Sequence, residues 1–212
     1  MMSRGIASGM VAVADRERLH HLLAGRTVWL ASSSPRRRAI LRAYGVPFRE
    51  VGHTLCEPPP AGPDWRRWVR SWSLRKARNA ARPLTDNWVI GSDTIVVCRG
   101  RGLGKPAHAA EAAAMLARLS GHVHQVFSGV AIVDGRSGAQ ATGSAVTSVH
   151  FRTLKRQEIG AYIRTGEPLD KAGAYAIQGR ARAFVSQIDG PLDNVVGLPV
   201  QTLIKIMERV SR

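Results

Sequence analysis

The stretch VWLASSSPRRR, residues 28–38, passes from a short apolar run through three serines to a proline and three arginines. Residues 28–31 have the length and composition of a buried strand. Ser34 is a favourable N-cap residue, Pro35 suits the first turn of a helix, and Gly45 would end that helix. A strand that leads directly into a helix is the building unit of an α/β fold.

The alternation of strands and helices continues along the chain. The further predicted helices cover residues 64–81, 109–119, 155–164 and 199–210. The further predicted strands cover residues 88–98, 124–133, 139–152 and 184–188. Because Asp134-Gly135 separates two of these strands by a tight turn, that pair must be antiparallel. The pattern predicts an α/β fold with a mixed, strongly twisted central sheet flanked by helices.

The first residues of the chain precede this regular pattern. Asp15 is expected to cap a short helix that has Leu19, Leu22 and Leu23 on one face and that ends at Gly25. We therefore expect residues 1–26 to form an N-terminal extension and residues 27–212 to form one domain.

The composition is that of an ordinary soluble globular protein. Of the 212 residues, 44% are hydrophobic and 22% are charged, which excludes disordered and collagen-like chains. No apolar run approaches the ~20 residues of a membrane helix, and no segment resembles a signal peptide. Cys56 and Cys98 are too few for a disulfide framework. These features predict a cytoplasmic protein without membrane partners.

The charge balance is strongly basic. Lys and Arg number 31 against 15 Asp and Glu, which gives a net charge of +16. Such a balance favours polyanions, either nucleic acid or phosphorylated small molecules. The cations are spread along the chain without a basic tail, so specific nucleic-acid binding is disfavoured.

The serine-arginine turn after the first strand is a candidate phosphate site. Arg36 and Arg37 fall in the first turn of the predicted helix, where the helix dipole disfavours cations by a few tenths of a kcal/mol up to ~1 kcal/mol each. Free backbone N–H groups, serine hydroxyls and guanidinium groups converge there, as in anion-binding sites. The alternative is a capped helix with solvated arginines.

Two ionisable residues fall at positions that are otherwise apolar. Asp93 lies within the apolar strand 88–98, where a carboxylate needs an ion pair, hydrogen bonds or a metal. Lys76 continues the apolar stripe of the helix 64–81, so its ammonium either reaches solvent or has an anionic partner. At this level, Asp93 could equally end a strand and bond to a turn, and solvent exposure is the commoner outcome for Lys76.

Other polar segments give weaker signals. Lys105 follows a predicted turn at 99–102, and the glycine-rich stretch 166–179 contains Gln178, whose amide could read a base or a ribose. His122 and His124 have strand spacing without a third ligand and are expected on the surface. Neither a Walker A sequence nor a GxGxxG sequence is present.

Taken together, four segments resemble the Maf family of nucleoside triphosphate pyrophosphatases from about residue 28 to the C-terminus. They are LASSSPRRR at 30–38, IGSDT at 90–94, GKP at 104–106, and residues 167–179 followed by NVVGLP at 194–199. The resemblance implies a two-lobed architecture, like that of Maf and inosine triphosphatase proteins, with a cleft between the lobes. It also implies hydrolysis of a nucleoside triphosphate between the α and β phosphates, a divalent cation (Mg²⁺, Mn²⁺ or Co²⁺), and compatibility with a homodimer.

The resemblance also assigns roles by position. Asp93 matches the catalytic base, and Asp93 with Glu57 would hold the metal. The matched substrate-binding positions are Ser32, Arg36, Arg37, Lys76, Thr94, Lys105 and Gln178. Arginine after the proline is typical of the subgroup acting on dTTP and UTP. Two departures are Cys56, where the family often has an acidic residue beside Glu57, and Ser92 in place of alanine.

The alternative functions are those of a nucleic-acid-binding or septum-related regulatory protein without turnover, and of a pyrophosphatase for modified purine triphosphates.

Overall fold

The fold was analysed in a computed structural model, which describes residues 12–23, 25–52, 54–56, 58, 60, 62, 64–81 and 87–211. The helices are α1 Val13–Leu23, α2 Pro35–Ala43, α3 Trp65–Ala81, α4 Ala109–Leu119, α5 Arg156–Ile163, α6 Leu192–Val196 and α7 Val200–Val210. The strands are β1 Thr27–Ala31, β2 Arg49–Glu50, β3 Asn87–Cys98, β4 Arg101–Leu103, β5 Val123–Asp134, β6 Gln140–Phe151 and β7 Val185–Asp189. Three short 3-10 turns cover Glu167–Asp170, Ala172–Ala174 and Arg180–Phe184.

Within the described ranges, these strands form one mixed seven-stranded sheet. The strand order is β2-β1-β3-β5-β6-β7, and β4 pairs with β3 outside this path. Strand β1 is parallel to both β2 and β3. The remaining pairs are antiparallel, including the predicted β5–β6 hairpin. The expected α/β fold with a mixed, twisted sheet flanked by helices is thereby confirmed.

Strand β3 changes partner along one of its edges. Its residues 87–91 pair with β1, and its residues 96–98 pair with β4. Between these two ladders, residues 92–95 have no strand partner on that edge among the described residues. Side chains and ligands often meet where neighbouring strands diverge in an α/β sheet. The gap along β3 is therefore the natural place for a cleft.

Helix α3 covers one face of the sheet, while the main core lies on the other. On the α3 face, small apolar clusters form around Val89 and Ala131 and around Ile95 and Phe127. The main core on the opposite face joins β1, β3, β5 and β6 to α1, α2, α4, α5 and α7. The sheet therefore has apolar packing on both of its faces.

The N-terminal helix differs from the expectation. Helix α1 begins at Val13, so Asp15 is its third residue and does not cap it. The Asp15 side chain instead lies near the last helix, where Gln201 Nε2 donates a hydrogen bond to it at 3.4 Å. Leu19 and Leu23 are buried in the main core. Residues 13–23 thus pack against the main core, and the division into an extension 1–26 and a domain 27–212 stays a prediction.

Several short elements were not predicted. They are β2, α6 and the 3-10 turns within the segment expected to be a glycine-rich loop. The turn expected at 99–102 is tighter, because strand pairing already resumes at Arg101 after Arg99 and Gly100. In the described part of the chain, every helix is too short or too polar to cross a lipid bilayer.

Candidate active site

A cleft of about 1230 Å³ opens at the gap along β3. Helix α3 lies on one side of it, and the 3-10 segment with α6 lies on the other. Its lining brings together most of the predicted site residues, namely Ser32, Arg36, Arg37, Lys76, Asp93, Thr94 and Lys105. The segment 32–37 borders the cleft because it follows the C-terminal end of β1, and Lys105 borders it because it follows β4.

Lys76 and Asp93 form an ion pair in this cleft. The Lys76 Nζ lies 2.7 Å from Asp93 Oδ1, and the residues are only 3% and 6% exposed. Of the alternatives left open by the sequence, the anionic partner is therefore correct for Lys76, and the buried ion pair is correct for Asp93. An isolated charge at either position would be strongly disfavoured, so each side chain compensates the other.

Two glycines allow α3 to carry Lys76 this close to the sheet. A Cβ on Gly91 would lie 2.2 Å from the carbonyl oxygen of Ser73, and one on Gly129 would lie 2.3 Å from that of Val69. Both distances are far below van der Waals contact, so the helix backbone packs directly on β3 and β5. Because neither glycine has a side chain, α3 lies close enough to the sheet for Lys76 to reach Asp93.

Arg37 is held in a fixed orientation by three acceptors. Its Nε donates to the Gly197 carbonyl at 2.9 Å, its Nη1 donates to Ser32 Oγ at 2.9 Å, and its Nη2 donates to Thr94 Oγ1 at 3.2 Å. Ser92, one of the two departures from the resembled pattern, is fully buried and lies 2.8 Å from the same Gly197 carbonyl. The guanidinium is thus pre-oriented at the cleft before any substrate arrives.

A chain of hydrogen bonds supports Thr94 from behind. Ser128 Oγ donates to the Asn194 carbonyl at 2.7 Å and lies 2.9 Å from Thr94 Oγ1. Because the Ser128 proton is committed to Asn194, Thr94 is the donor to Ser128 and the acceptor from Arg37. The fully buried Asn194 amide in turn bonds the Ser128 N–H, the Val126 carbonyl and Thr147 Oγ1. Sequence reasoning missed the roles of Ser128 and Asn194, although Asn194 opens the quoted NVVGLP segment.

Arg36 lies on the side of the cleft that the 3-10 segment forms. Its Nη1 lies 3.7 Å from Asp170 Oδ2, and Asp170 also pairs with Lys171. Burial lowers the pKa of the Arg36 guanidinium below its usual value, against the opposing effect of the Asp170 carboxylate. An anion near Arg36 would therefore meet a partly desolvated cation.

The remaining predicted residues have varied positions. Ser34 occupies the N-cap position of α2, but its hydroxyl makes no capping hydrogen bond. Instead, its N–H donates to Ser32 Oγ at 3.2 Å. Lys105 is exposed at the rim, whereas Gln178 is exposed and does not line the cleft. Glu57, expected to bind metal, lies outside the described residues.

The expectation for His124 is wrong, because this residue is buried. Its Nε2 lies 2.8 Å from the Tyr175 hydroxyl, and its ring makes edge contacts with Phe151 and Tyr175. Burial lowers the pKa of His124 to about 4. The aromatic neighbours come from β6 and from the 3-10 segment, so the local strand pattern could not reveal them.

The described residues contain no group of three His, Cys, Asp or Glu side chains placed to bind a metal. Cys56 is exposed and Cys98 is buried. Among the described residues, Asp93 brings carboxylate oxygens to the cleft, and these are hard donors. Mg²⁺ is commonly held in this way, through one or two carboxylates together with phosphate oxygens.

Known proteins resemble this chain over most of its length. The sequence model of Maf-like proteins matches residues 27–210. The chain belongs to the Maf family. It is 45% identical over 184 residues to the dTTP/UTP pyrophosphatase of Pelotomaculum thermopropionicum, covering 87% of this chain and 96% of the relative. It is 49% identical over 176 residues to that of Moorella thermoacetica, covering 81% and 88%. The solved Staphylococcus aureus Ham1 protein overlaps with a TM-score of 0.42 and 12% identity, covering 59% and 72%.

Proposed function

We propose that this Maf protein hydrolyses nucleoside triphosphates, dTTP and UTP above all, to the nucleoside monophosphate and pyrophosphate. The observation that carries the proposal is the buried Lys76–Asp93 pair, which lies in a cleft bordered by Arg36 and Arg37 at the start of α2. The curated relatives with the printed activity dTTP/UTP pyrophosphatase support the choice of substrate. Removal of such nucleotides would serve control of the nucleotide pool.

The cationic side chains suit a polyphosphate. Arg37, Lys105 and Lys76 would bind phosphate oxygens and compensate the charge that develops on the departing pyrophosphate. Arg37 is already oriented by Ser32 and Thr94, so little reorganisation accompanies binding. This arrangement favours the transition state, in which the leaving group gains charge.

Asp93 is the proposed catalytic base. Its carboxylate would accept a proton as a water oxygen bonds to the α-phosphorus. The bond between the α-phosphorus and the oxygen bridging to the β-phosphorus then breaks, and its electron pair leaves with pyrophosphate. Lys76, 2.7 Å from Oδ1, would fix the orientation of the carboxylate during this step.

A divalent cation, Mg²⁺, Mn²⁺ or Co²⁺, would be held by the Asp93 carboxylate, with Glu57 assigned as a second ligand by the resemblance. When bound, it would supply charge neutralisation and activate water. Cys56 cannot replace a neighbouring carboxylate as a hard oxygen ligand, so substrate oxygens would complete the coordination.

A nucleotide panel tests the proposal directly. Purified protein is incubated with each of the common and modified triphosphates in Mg²⁺, Mn²⁺ or Co²⁺, and pyrophosphate and monophosphate are quantified. We expect equimolar monophosphate and pyrophosphate, formed fastest from dTTP and UTP. Fastest release from modified purine triphosphates would reassign the substrate, and nucleic-acid binding without any pyrophosphate would refute the enzymatic function.

A further inference from the structure

Helix α3 presents aromatic rings to the same cleft. Trp65, Trp68 and Trp72 all line it, and the centroids of the Trp68 and Trp72 rings lie 6.1 Å apart. Lys76, Trp72 and Trp68 are spaced by four residues, so they share one helix face. At 1.5 Å per residue, Trp72 and Trp68 lie about 6 Å and about 12 Å along the helix axis from Lys76. The rings thus extend from the charged pair toward the N-terminal end of α3.

The rings differ in how much surface they leave to a ligand. Trp65 is packed against β4, because a Cβ on Gly102 would lie 2.9 Å from its Cζ3 and Cη2 atoms. Trp72 is only 7% exposed, and the Arg75 guanidinium stacks over it with its carbon 4.9 Å from the ring centroid. Trp72 is therefore occupied by contacts within the protein. Trp65 is half-buried like Trp68, but one edge of its ring is covered by β4, and it lies about 4.5 Å further from Lys76 along the helix axis.

The other described aromatic ring of the cleft, Tyr175, is also occupied. It is 6% exposed and makes edge contacts with His124 and Phe151. Trp68, by contrast, is half-buried and packs against the cluster of Val69, Ile95, Val97 and Phe127. Its position is therefore fixed by the protein, while part of its ring remains accessible from the cleft.

We propose that Trp68 is the stacking surface for the nucleobase of the bound nucleotide. The inference rests on the proposed function for the identity of the ligand, and it assigns the phosphates to the Lys76 end and the base to the Trp68 end of α3. Stacking on an indole gives substantial affinity and tolerates every base, because each base has a π face. Trp68 therefore contributes affinity for nucleotides as a class, and the choice among bases is made elsewhere.

The test compares a ligand that has a base with one that lacks it. Binding of α,β-methylene dTTP, whose scissile bridge is carbon, and of tripolyphosphate is measured by calorimetry in the same Mg²⁺ buffer. The variants are Trp68→Leu and Trp68→Phe, with Trp29→Leu and Trp29→Phe as matched controls. Trp29 is a half-buried tryptophan of β1 outside the cleft lining, with Arg49 over its ring.

We expect Trp68→Leu to weaken α,β-methylene dTTP binding by about 10- to 100-fold. Tripolyphosphate binding should change by less than about twofold, Trp68→Phe should retain most of the affinity, and the Trp29 variants should match the wild type. An unchanged nucleotide affinity, or an equal loss for tripolyphosphate, would overturn the inference. Because the ligand cannot be hydrolysed, nucleotide binding through Trp68 would stand even if the panel revealed no turnover.

Discussion

The buried ion pair of Lys76 and Asp93 favours a catalytic role over a purely stabilising one. A buried pair is often no more stabilising than apolar residues of similar volume, because desolvation opposes the attraction. Here the pair is nearly inaccessible and yet borders a cleft with Arg37 and Arg36 close by. A requirement for stability alone would be met by apolar side chains, so the pair is best explained by its proposed role in hydrolysis.

Arg36 provides a prediction about substrate binding. Arg36→Trp should lower kcat/KM for dTTP and UTP by about 10- to 100-fold, because a charged hydrogen-bond donor is lost. The melting temperature should change by less than about 2 °C, since the long contact to an exposed Asp170 contributes little. Arg38→Trp is the matched control, because Arg38 pairs with Glu50 outside the cleft lining. Parallel losses of activity and stability in Arg36→Trp would make the residue structural.

His124 provides a prediction about pH. Its folded pKa of about 4 lies below the usual 6.5, so the unfolded chain takes up the proton first. Stability is therefore complete above about pH 6.5 and falls as the pH drops toward 4. The contribution lost between pH 7 and pH 5 is about 2 kcal/mol.

The measurement is urea unfolding at pH 7 and at pH 5. His124→Phe should remove about 2 kcal/mol of the pH dependence, although it is less stable at pH 7 because the Tyr175 hydroxyl loses its partner. His21→Phe, at an exposed position of α1, should keep the wild-type dependence. If His124→Phe and the wild type show the same difference between the two pH values, His124 does not titrate as described.

The sequence predicted the types of residue in the cleft better than their partners. The helical spacing placed Lys76 on a buried face, but the partner 17 residues away depends on how α3 lies over β3. His124 was misplaced because its partner Tyr175 comes from a segment 51 residues away. Such pairings are set by tertiary contacts that no local pattern contains.

At the scale of elements, the contact of α3 with β5 sets the geometry of the site. Gly129→Ala would place a methyl group 2.3 Å from the Val69 carbonyl and 2.7 Å from Ser73 Oγ, so α3 must shift. We expect a loss of about 2 kcal/mol in the free energy of unfolding. We also expect at least about a tenfold loss in kcat/KM, because Lys76 moves with the helix.

Gly160→Ala is the matched control for this prediction. Gly160 lies in α5, where a Cβ would meet only Arg164 Nη1 at 3.6 Å, so alanine should be neutral or slightly stabilising. Denaturant unfolding and steady-state kinetics check both variants. Wild-type stability and activity in Gly129→Ala would contradict the proposed dependence on close packing.

Long periodic elements were predicted well, and short ones were not. Helix α4 has the predicted bounds, and it begins where the His108 ring accepts the Glu111 N–H. Strand β2 has two residues and α6 has five, too few to display a period. We also did not predict that β1 pairs with β3 in parallel, which creates the gap beneath the cleft. Parallel register depends on the crossover through α2 and α3, which no local pattern shows.

At the scale of the whole molecule, the net charge of +16 should attract an anionic substrate. We expect kcat/KM for dTTP to fall by about five- to tenfold between about 50 and about 500 mM NaCl, because salt screens this attraction. Melting curves across the same range provide the control that the fold persists. A kcat/KM independent of salt would show that the charge excess does not assist association.

The cleft as a whole is proposed to hydrolyse a triphosphate by means of Asp93, and Asp93→Asn tests this most directly. The variant keeps the shape of the side chain but cannot act as a base, so the rate of pyrophosphate release from dTTP should fall by about 10²- to 10⁴-fold. Because the substitution removes the carboxylate that pairs with Lys76 and a proposed metal ligand, melting curves check that the variant is folded, and binding of α,β-methylene dTTP, measured without a divalent cation, should stay within a few-fold of the wild type. Asp189→Asn, at an exposed position of β7 outside the cleft lining, is the control and should be fully active. An Asp93→Asn variant that releases pyrophosphate at a near-normal rate would contradict the account.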